Sequence, residues 1–268
     1  MSIPACVVTT AGSGGPAPAL AAQIVVIGKA PVPGRVKTRL TPPFSPGQAA
    51  QLAEAALADT LAAAAQVSVT RRVLALDGQP GDWLPAGFEV TAQRGDGLDQ
   101  RIAAALDDAW ARLPVPLVLI GTDTPQVTPG LLASAIRPLV QGTADAAFGP
   151  SADGGFWLLG LRRPDPGLVA GVPMSEPVTG AVQLARLEAA GLRVRTLPCV
   201  VDVDEAADAL AVAGQAPDSR FAAALRAMRP AQALTALLPA GSGPPCWPPP
   251  WLASDYDQEE EAGAGQPG

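Results

Sequence analysis

Lys29, Arg35, Lys37 and Arg39 place four positive charges within eleven residues of the stretch 28–40, GKAPVPGRVKTRL, in a 268-residue chain with 18 basic against 25 acidic side chains, net −7. The two lysines are the only ones in the sequence; every other basic residue is arginine. Lysine offers a compact charge and three rotatable donors, which suits polyphosphate oxygens that shift during a reaction, and arginine grips such oxygens through a planar fork. Pro31, Pro33 and Gly34 bar a helix or a central strand here, so the stretch reads as an ordered loop with backbone N–H groups free to meet an anion. Lys29, Gly34, Arg35, Lys37, Thr38 and Arg39 are the expected phosphate-binding set, and Lys37 is also read as catalytic, a charge held against a leaving group. The same residue types describe a solvated basic surface loop, and both readings stay open on composition alone.

Carboxylates complete the chemistry. Asp123, in GTDTP, comes directly after an apolar run, where it can face a crevice rather than the core; a cation holding a diphosphate needs one or two such carboxylates and keeps several waters. It also reads as a turn cap beside Pro125. Asp202 and Asp204 alternate in VVDVD, so only one of them faces the crevice if the chain is extended there. Asp204 is the expected ligand, with helix capping ahead of Glu205 as its other reading. Asp153 precedes Gly154 and Gly155, which permit close approach of a ligand, so the three are the expected acceptor-binding group with Asp153 as base; a plain glycine turn competes with that reading.

The sequence holds no histidine, which removes Ser-His-Asp and Cys-His catalysis, histidine bases and histidine metal ligands together. Chemistry must rest on carboxylates, a hard oxygen-loving cation, and lysine or arginine clamps. Cys6, Cys199 and Cys246 are odd in number and far apart, so neither a disulfide framework nor a zinc site is expected.

These residues need a scaffold, and the elements follow from hydrophobic pattern. Residues 23–27 form a short β-branched run that reads as a buried strand, and Ser45 with Pro46 signals the start of a helix over 48–66. Further strands are expected at 69–76, 88–92, 115–120, 145–149, 156–161 and 192–197, with helices at 98–113, from Thr128 and Pro129 to about 140, and at 179–190. Residues 200–208 pass from strand into helix, and two short helices run to about 238. Alternating strands and helices imply an α/β fold, a three-layer α/β/α arrangement with a mostly parallel sheet, and ligands on such sheets collect at the carboxyl ends of the strands. The loops bearing the candidate residues leave such ends.

A single domain over 22–238 is expected, with a mobile leader at 1–21 and a disordered tail at 239–268 that turns from glycine and proline to acid. The acidic balance argues against nucleic-acid or anionic-membrane partners. No apolar run approaches the roughly 18 residues of a membrane span, and the N-terminus makes a poor signal peptide, so the expected setting is cytoplasmic.

In order along the chain, GKAPVPGRVKTRL, QRGDGLDQRIAAAL, GTDTPQVTPGLLASAI, GPSADGGFWLLGL and VVDVDEAADAL resemble the DUF2064 family, also called radical-SAM/selenodomain-associated transferase 1, within the GT-A, nucleotide-diphospho-sugar transferase superfamily. The resemblance covers about residues 24–210. KTRL and the following helix are also similar to the phospholactate guanylyltransferases. What this implies is a GT-A fold, a nucleotide or nucleotide-sugar in the pocket of the first loop, a small-molecule acceptor, Mg²⁺ or Mn²⁺ at Asp123, and a second ligand at Asp204, which matches the start of a DTPEDL-like motif of nucleotidyltransferases. The sequence reads DEAAD there, and GTDTP has one aspartate rather than a DxD pair. A metal-dependent glycosyltransferase is the implied activity; nucleotidyl transfer and nucleotide binding without turnover are the alternatives.

Overall fold

The structure is a computed structural model, and residues 19–228 are described. The expected tail at 239–268, the helical stretch past 228 and the expected leader up to residue 18 lie outside that range. The chain enters through strand β1, Leu20–Lys29, three residues earlier than the apolar run suggests, because Leu20 already pairs beside Val69. Ile24 and Val26 face one core and Val25 and Ile27 the other, as a strand covered on both faces requires.

Helix α1, Pro46–Gln66, starts at a capping box in which Ser45 Oγ accepts from Gln48 N at 3.3 Å and Gln48 Oε1 accepts from Ser45 N at 2.9 Å. There follow β2 (Val69–Asp77), β3 (Glu89–Ala92), α2 (Leu98–Arg112), β4 (Leu117–Ile120), α3 (Pro129–Gln141), β5 (Ala146–Pro150), β6 (Phe156–Leu161), α4 (Thr179–Ala189), β7 (Val194–Thr196), α5 (Ala206–Gln215) and α6 (Arg220–Ala227).

The seven strands lie in the order β3-β2-β1-β4-β6-β5-β7. All pairings are parallel except those of β6, which runs against both β4 and β5. Leucines of α1 and α3 pack on one face, with Leu57, Leu61, Leu132 and Leu139 in one core, and α2 and α4 cover the other through Ile102, Leu106, Leu184 and Leu187. α5 and α6 pack outside α1, around Leu52, Val203 and Phe221.

One expected strand is corrected. Residues 200–204 make a single bridge, Ser151 to Val200, and no ladder. Their backbone groups pair instead with loop ends: Val200 N with Pro150 O at 3.2 Å and Val203 N with Asp123 O at 2.9 Å. The segment stays extended because two different turns hold it, and it ends beside the carboxyl ends of β1, β4 and β5.

Candidate active site

The loop after β1 is shaped by two left-handed residues. Arg35 N donates to Val32 O at 3.0 Å, closing a turn with Pro33 first and Gly34, at φ 76°, second, the type II pattern that needs a glycine there. Lys37 adopts φ 49° without being glycine and precedes the 3-10 turn Thr38–Leu40. Leu40 and Phe44 are buried and pin the loop against α1.

These reversals split the four cations. Lys29 and Arg35 line a cleft of about 270 Å³ with Ala30, Val32, Asp77 and Gly78. Lys37 and Arg39 turn the other way, toward Asp123 and Asp204. The expected single cluster is thus two pairs, one on each side of the loop. Thr38 is exposed, and a Cβ on Gly34 would touch nothing, so Gly34 is present for its backbone angle.

Lys37 Nζ lies 2.8 Å from Asp123 Oδ1, with the lysine side chain 10% exposed and the aspartate 49%. The same ammonium donates to Val203 O. Gln126 Nε2 donates to Val201 O, so residues 201–203 are stitched to the turn that carries Asp123. Arg39 holds Asp204 through Oδ2, and Asp202 lies in the field of Asp153, Lys37 and Asp123. Burial first, then the charges of Asp153 and Asp123, push the Asp202 carboxyl up to about 7, with Lys37 opposing.

That shift has a sign. The folded value of about 7 stands above the ordinary 3.8, so the folded state keeps a proton that the unfolded chain has released between those values. The resulting stability is present below the unfolded value and is lost as pH rises through the folded one. Asp202→Asn, neutral throughout, is expected to melt a few degrees above the natural protein at about pH 8 and together with it at about pH 4; calorimetry across that range checks the difference.

Asp153 sits at the tip of the β5–β6 hairpin. Its Oδ1 accepts from Gly155 N at 2.8 Å and from Ser151 Oγ, while Oδ2 has no hydrogen bond among the described residues. The close approach that Gly154 and Gly155 permit is made by the chain itself: Gly154, at φ 89°, packs on the Pro177 carbonyl, and Gly180 N donates to Gly154 O at 2.7 Å. Gly154→Ala is expected to destabilise the fold by about 2 kcal/mol or more, from backbone strain and that carbonyl together, measured by chemical denaturation.

Several supporting residues escaped the reading of the sequence. Gln93 Nε2 donates to Gly28 O at 2.7 Å and Ala75 O at 3.0 Å, bracing the end of β1. Arg101 reaches Asp77 Oδ2 at 3.2 Å. A Cβ on Gly28 would lie 2.7 Å from the Thr122 methyl, so that glycine seats the two loops together. The QRGDG run was visible, but nothing local tells that its glutamine reaches back to β1.

Among the described residues no group of three or more Asp, Glu, Cys or His side chains is assembled for a metal. The donor chemistry nonetheless fits a hard divalent cation: Asp123 offers a half-exposed carboxylate, and the Asp202 carboxyl, raised to about 7 first by burial and then by the charges of Asp153 and Asp123, is about half ionised at neutral pH. Oxygen donors and retained waters suit Mg²⁺ or Mn²⁺.

A family profile described as "Uncharacterized protein conserved in bacteria (DUF2064)" matches residues 51–176. That span includes Asp123 and Asp153 and begins after the cationic loop. No curated protein matches the sequence. Among solved structures, a protein assigned as a nucleotide-diphospho-sugar transferase from Desulfovibrio desulfuricans G20 is 28% identical, with 80% of this chain and 96% of that one covered at a TM-score of 0.70. A cytidylyltransferase from Leptospira borgpetersenii serovar Hardjo-bovis is 13% identical, with 80% and 96% covered and a TM-score of 0.48. Rv0371c of Mycobacterium tuberculosis H37Rv, in complex with manganese, is 23% identical, with 72% and 98% covered and a TM-score of 0.41. No described helix is long and apolar enough to cross a membrane.

Proposed function

Because residues 51–176 belong to the DUF2064 family, we propose that the chain is a metal-dependent transferase acting on a nucleotide-activated substrate, foremost a glycosyltransferase with a nucleotide-diphospho-sugar donor. The observation that carries this reading is the contact of Lys37 Nζ with Asp123 Oδ1, 2.8 Å apart, where the cationic loop and the end of β4 meet. The name of the Desulfovibrio structure supports it. The activity is assigned to one domain over 22–238 in a cytoplasmic setting.

In this reading the nucleoside end occupies the cleft beside Lys29 and Arg35, and the diphosphate extends toward Lys37, past the exposed Thr38 and Arg39. Asp123 would hold Mg²⁺ or Mn²⁺, with Asp202 or Asp204 as second carboxylate; when bound, the cation neutralises the diphosphate as it leaves. Lys37 exchanges its carboxylate partner for a phosphate oxygen and stabilises the same charge. Asp153, anchored through Oδ1, takes the acceptor proton on Oδ2 as the acceptor oxygen bonds to the anomeric carbon and the nucleoside diphosphate departs.

Nucleotidyl transfer is the second reading, favoured by carboxylates that come from separate segments, Asp123 after β4 and Asp202 and Asp204 in the segment stitched to it by Val203 N and Asp123 O, rather than from one DxD turn. Incubation with nucleotide-sugars and with nucleoside triphosphates plus phosphorylated acceptors, in Mn²⁺, separates the two. Nucleoside diphosphate release is the expected product, pyrophosphate release supports the second reading, and metal-independent binding with no product in either arm would reduce the chain to a nucleotide-binding protein.

A further inference from the structure

The cleft assigned to the nucleoside contains a carboxylate that the proposed reaction leaves without a task. Asp77 closes β2, in register with Lys29 at the end of β1, and lines the cleft of about 270 Å³ together with Lys29, Arg35, Val32 and Gln79. Its carboxylate pairs with neither of the cations beside it. Arg101 of α2 holds Oδ2 at 3.2 Å instead, while the side chains of Lys29 and Arg35 make no hydrogen bond or ion pair among the described residues. Arg101 is itself fixed, its Nε donating to Gly95 O at 3.1 Å. The QRGDG turn presents that carbonyl, with Gly95 at φ 119° and Gln100 only 2.6 Å from where a Cβ would lie.

The other oxygen of Asp77, Oδ1, accepts no hydrogen bond among the described residues, and the side chain is 34% exposed. A carboxylate braced on one oxygen and open on the other is a fixed acceptor that donates nothing. Val32, 43% exposed in the same cleft, supplies an apolar face for a flat ring. Gln79 adds an amide that serves either as donor or as acceptor.

Base edges differ in what they offer such a wall. Adenine and cytosine each set one amino donor beside a ring-nitrogen acceptor, which a carboxylate repels, and uracil sets one N–H between two carbonyls. Guanine sets two donors side by side, N1–H and the 2-amino group, and the two oxygens of a carboxylate accept both. Each oxygen has two lone pairs, so Oδ2 receives Arg101 and guanine together. We infer that this cleft selects guanine, with Asp77 as the specificity-determining residue, Gln79 donating to the 6-carbonyl, and Lys29 and Arg35 left for the phosphates. The inference rests on the nucleotide reading above and names its base.

Calorimetric titration of the full chain in Mn²⁺ with GDP, ADP, CDP, UDP and xanthosine diphosphate tests it. GDP should bind at least about tenfold more tightly than ADP, CDP or UDP. Xanthine carries a carbonyl where guanine carries the 2-amino group, and the amide of Asp77→Asn can donate to it. That variant should lose about tenfold for GDP and gain about tenfold for xanthosine diphosphate, with ADP unchanged; a misfolded protein shows no such gain. Equal affinities for the four common diphosphates, or a preference for another base, would overturn the inference and leave the nucleotide reading standing. A loss shared by all four in Asp77→Asn would also overturn it, placing the carboxylate on the ribose. Absence of binding by every diphosphate would remove both.

Discussion

Asp123→Asn should lower turnover by at least about a hundredfold and abolish the dependence of nucleotide binding on Mn²⁺, while the melting temperature moves little. The substitution keeps the side chain's shape, and the backbone bond that the position makes, Val203 N to Asp123 O at 2.9 Å, does not involve the carboxylate. What is removed is one negative charge on a half-exposed group, a loss that costs little stability but deprives a cation of its main oxygen donor. Calorimetric titration with Mn²⁺ and a nucleoside diphosphate measures it. A variant that binds the pair as tightly as the natural chain would remove Asp123 from the metal role.

Lys37→Ala should reduce kcat/KM by about a hundred- to a thousandfold and also destabilise the fold by about 1–2 kcal/mol. On sequence alone the lysine is a loop charge whose loss leaves the fold intact; the structure shows it 10% exposed, bonded to Val203 O and paired with Asp123. Removing the ammonium strands both partners. Lys37→Gly separates the two effects, because the position adopts φ 49°, where glycine alone is at ease. It should lose as much activity as the alanine variant but less stability, read from kinetics and denaturation on the same samples. Full activity in either variant would end the phosphate role.

The legible parts of the chain were those written in local chemistry. The run 23–27 declared a strand buried on both faces, and Ser45 with Pro46 marked the start of α1, where the capping box is found. Thr128 with Pro129 did the same for α3, where Thr128 Oγ1 accepts from Leu131 N at 3.2 Å. What stayed hidden depended on distant partners or on direction. An apolar run such as FWLLGL carries no sign of which way it points, so the reversal of β6 was not readable. Alternation in VVDVD could not tell which partner each aspartate meets, since Arg39, which pairs with Asp204, lies 165 positions away. The four cations looked like one patch because charge is visible in a sequence and the left-handed turns at Gly34 and Lys37 that divide it are not.

The hairpin formed by β5 and β6 has an engineering consequence. Asp153 rides on its tip, whereas Asp123 and the cationic loop issue from β4 and β1, which share no connecting turn with it. The tip is nonetheless tied to that wall, since Ala152 N donates to Val200 O at 2.9 Å and Val203 N to Asp123 O at 2.9 Å, so lengthening or shortening the hairpin would be transmitted through residues 200–203 to the turn that carries Asp123.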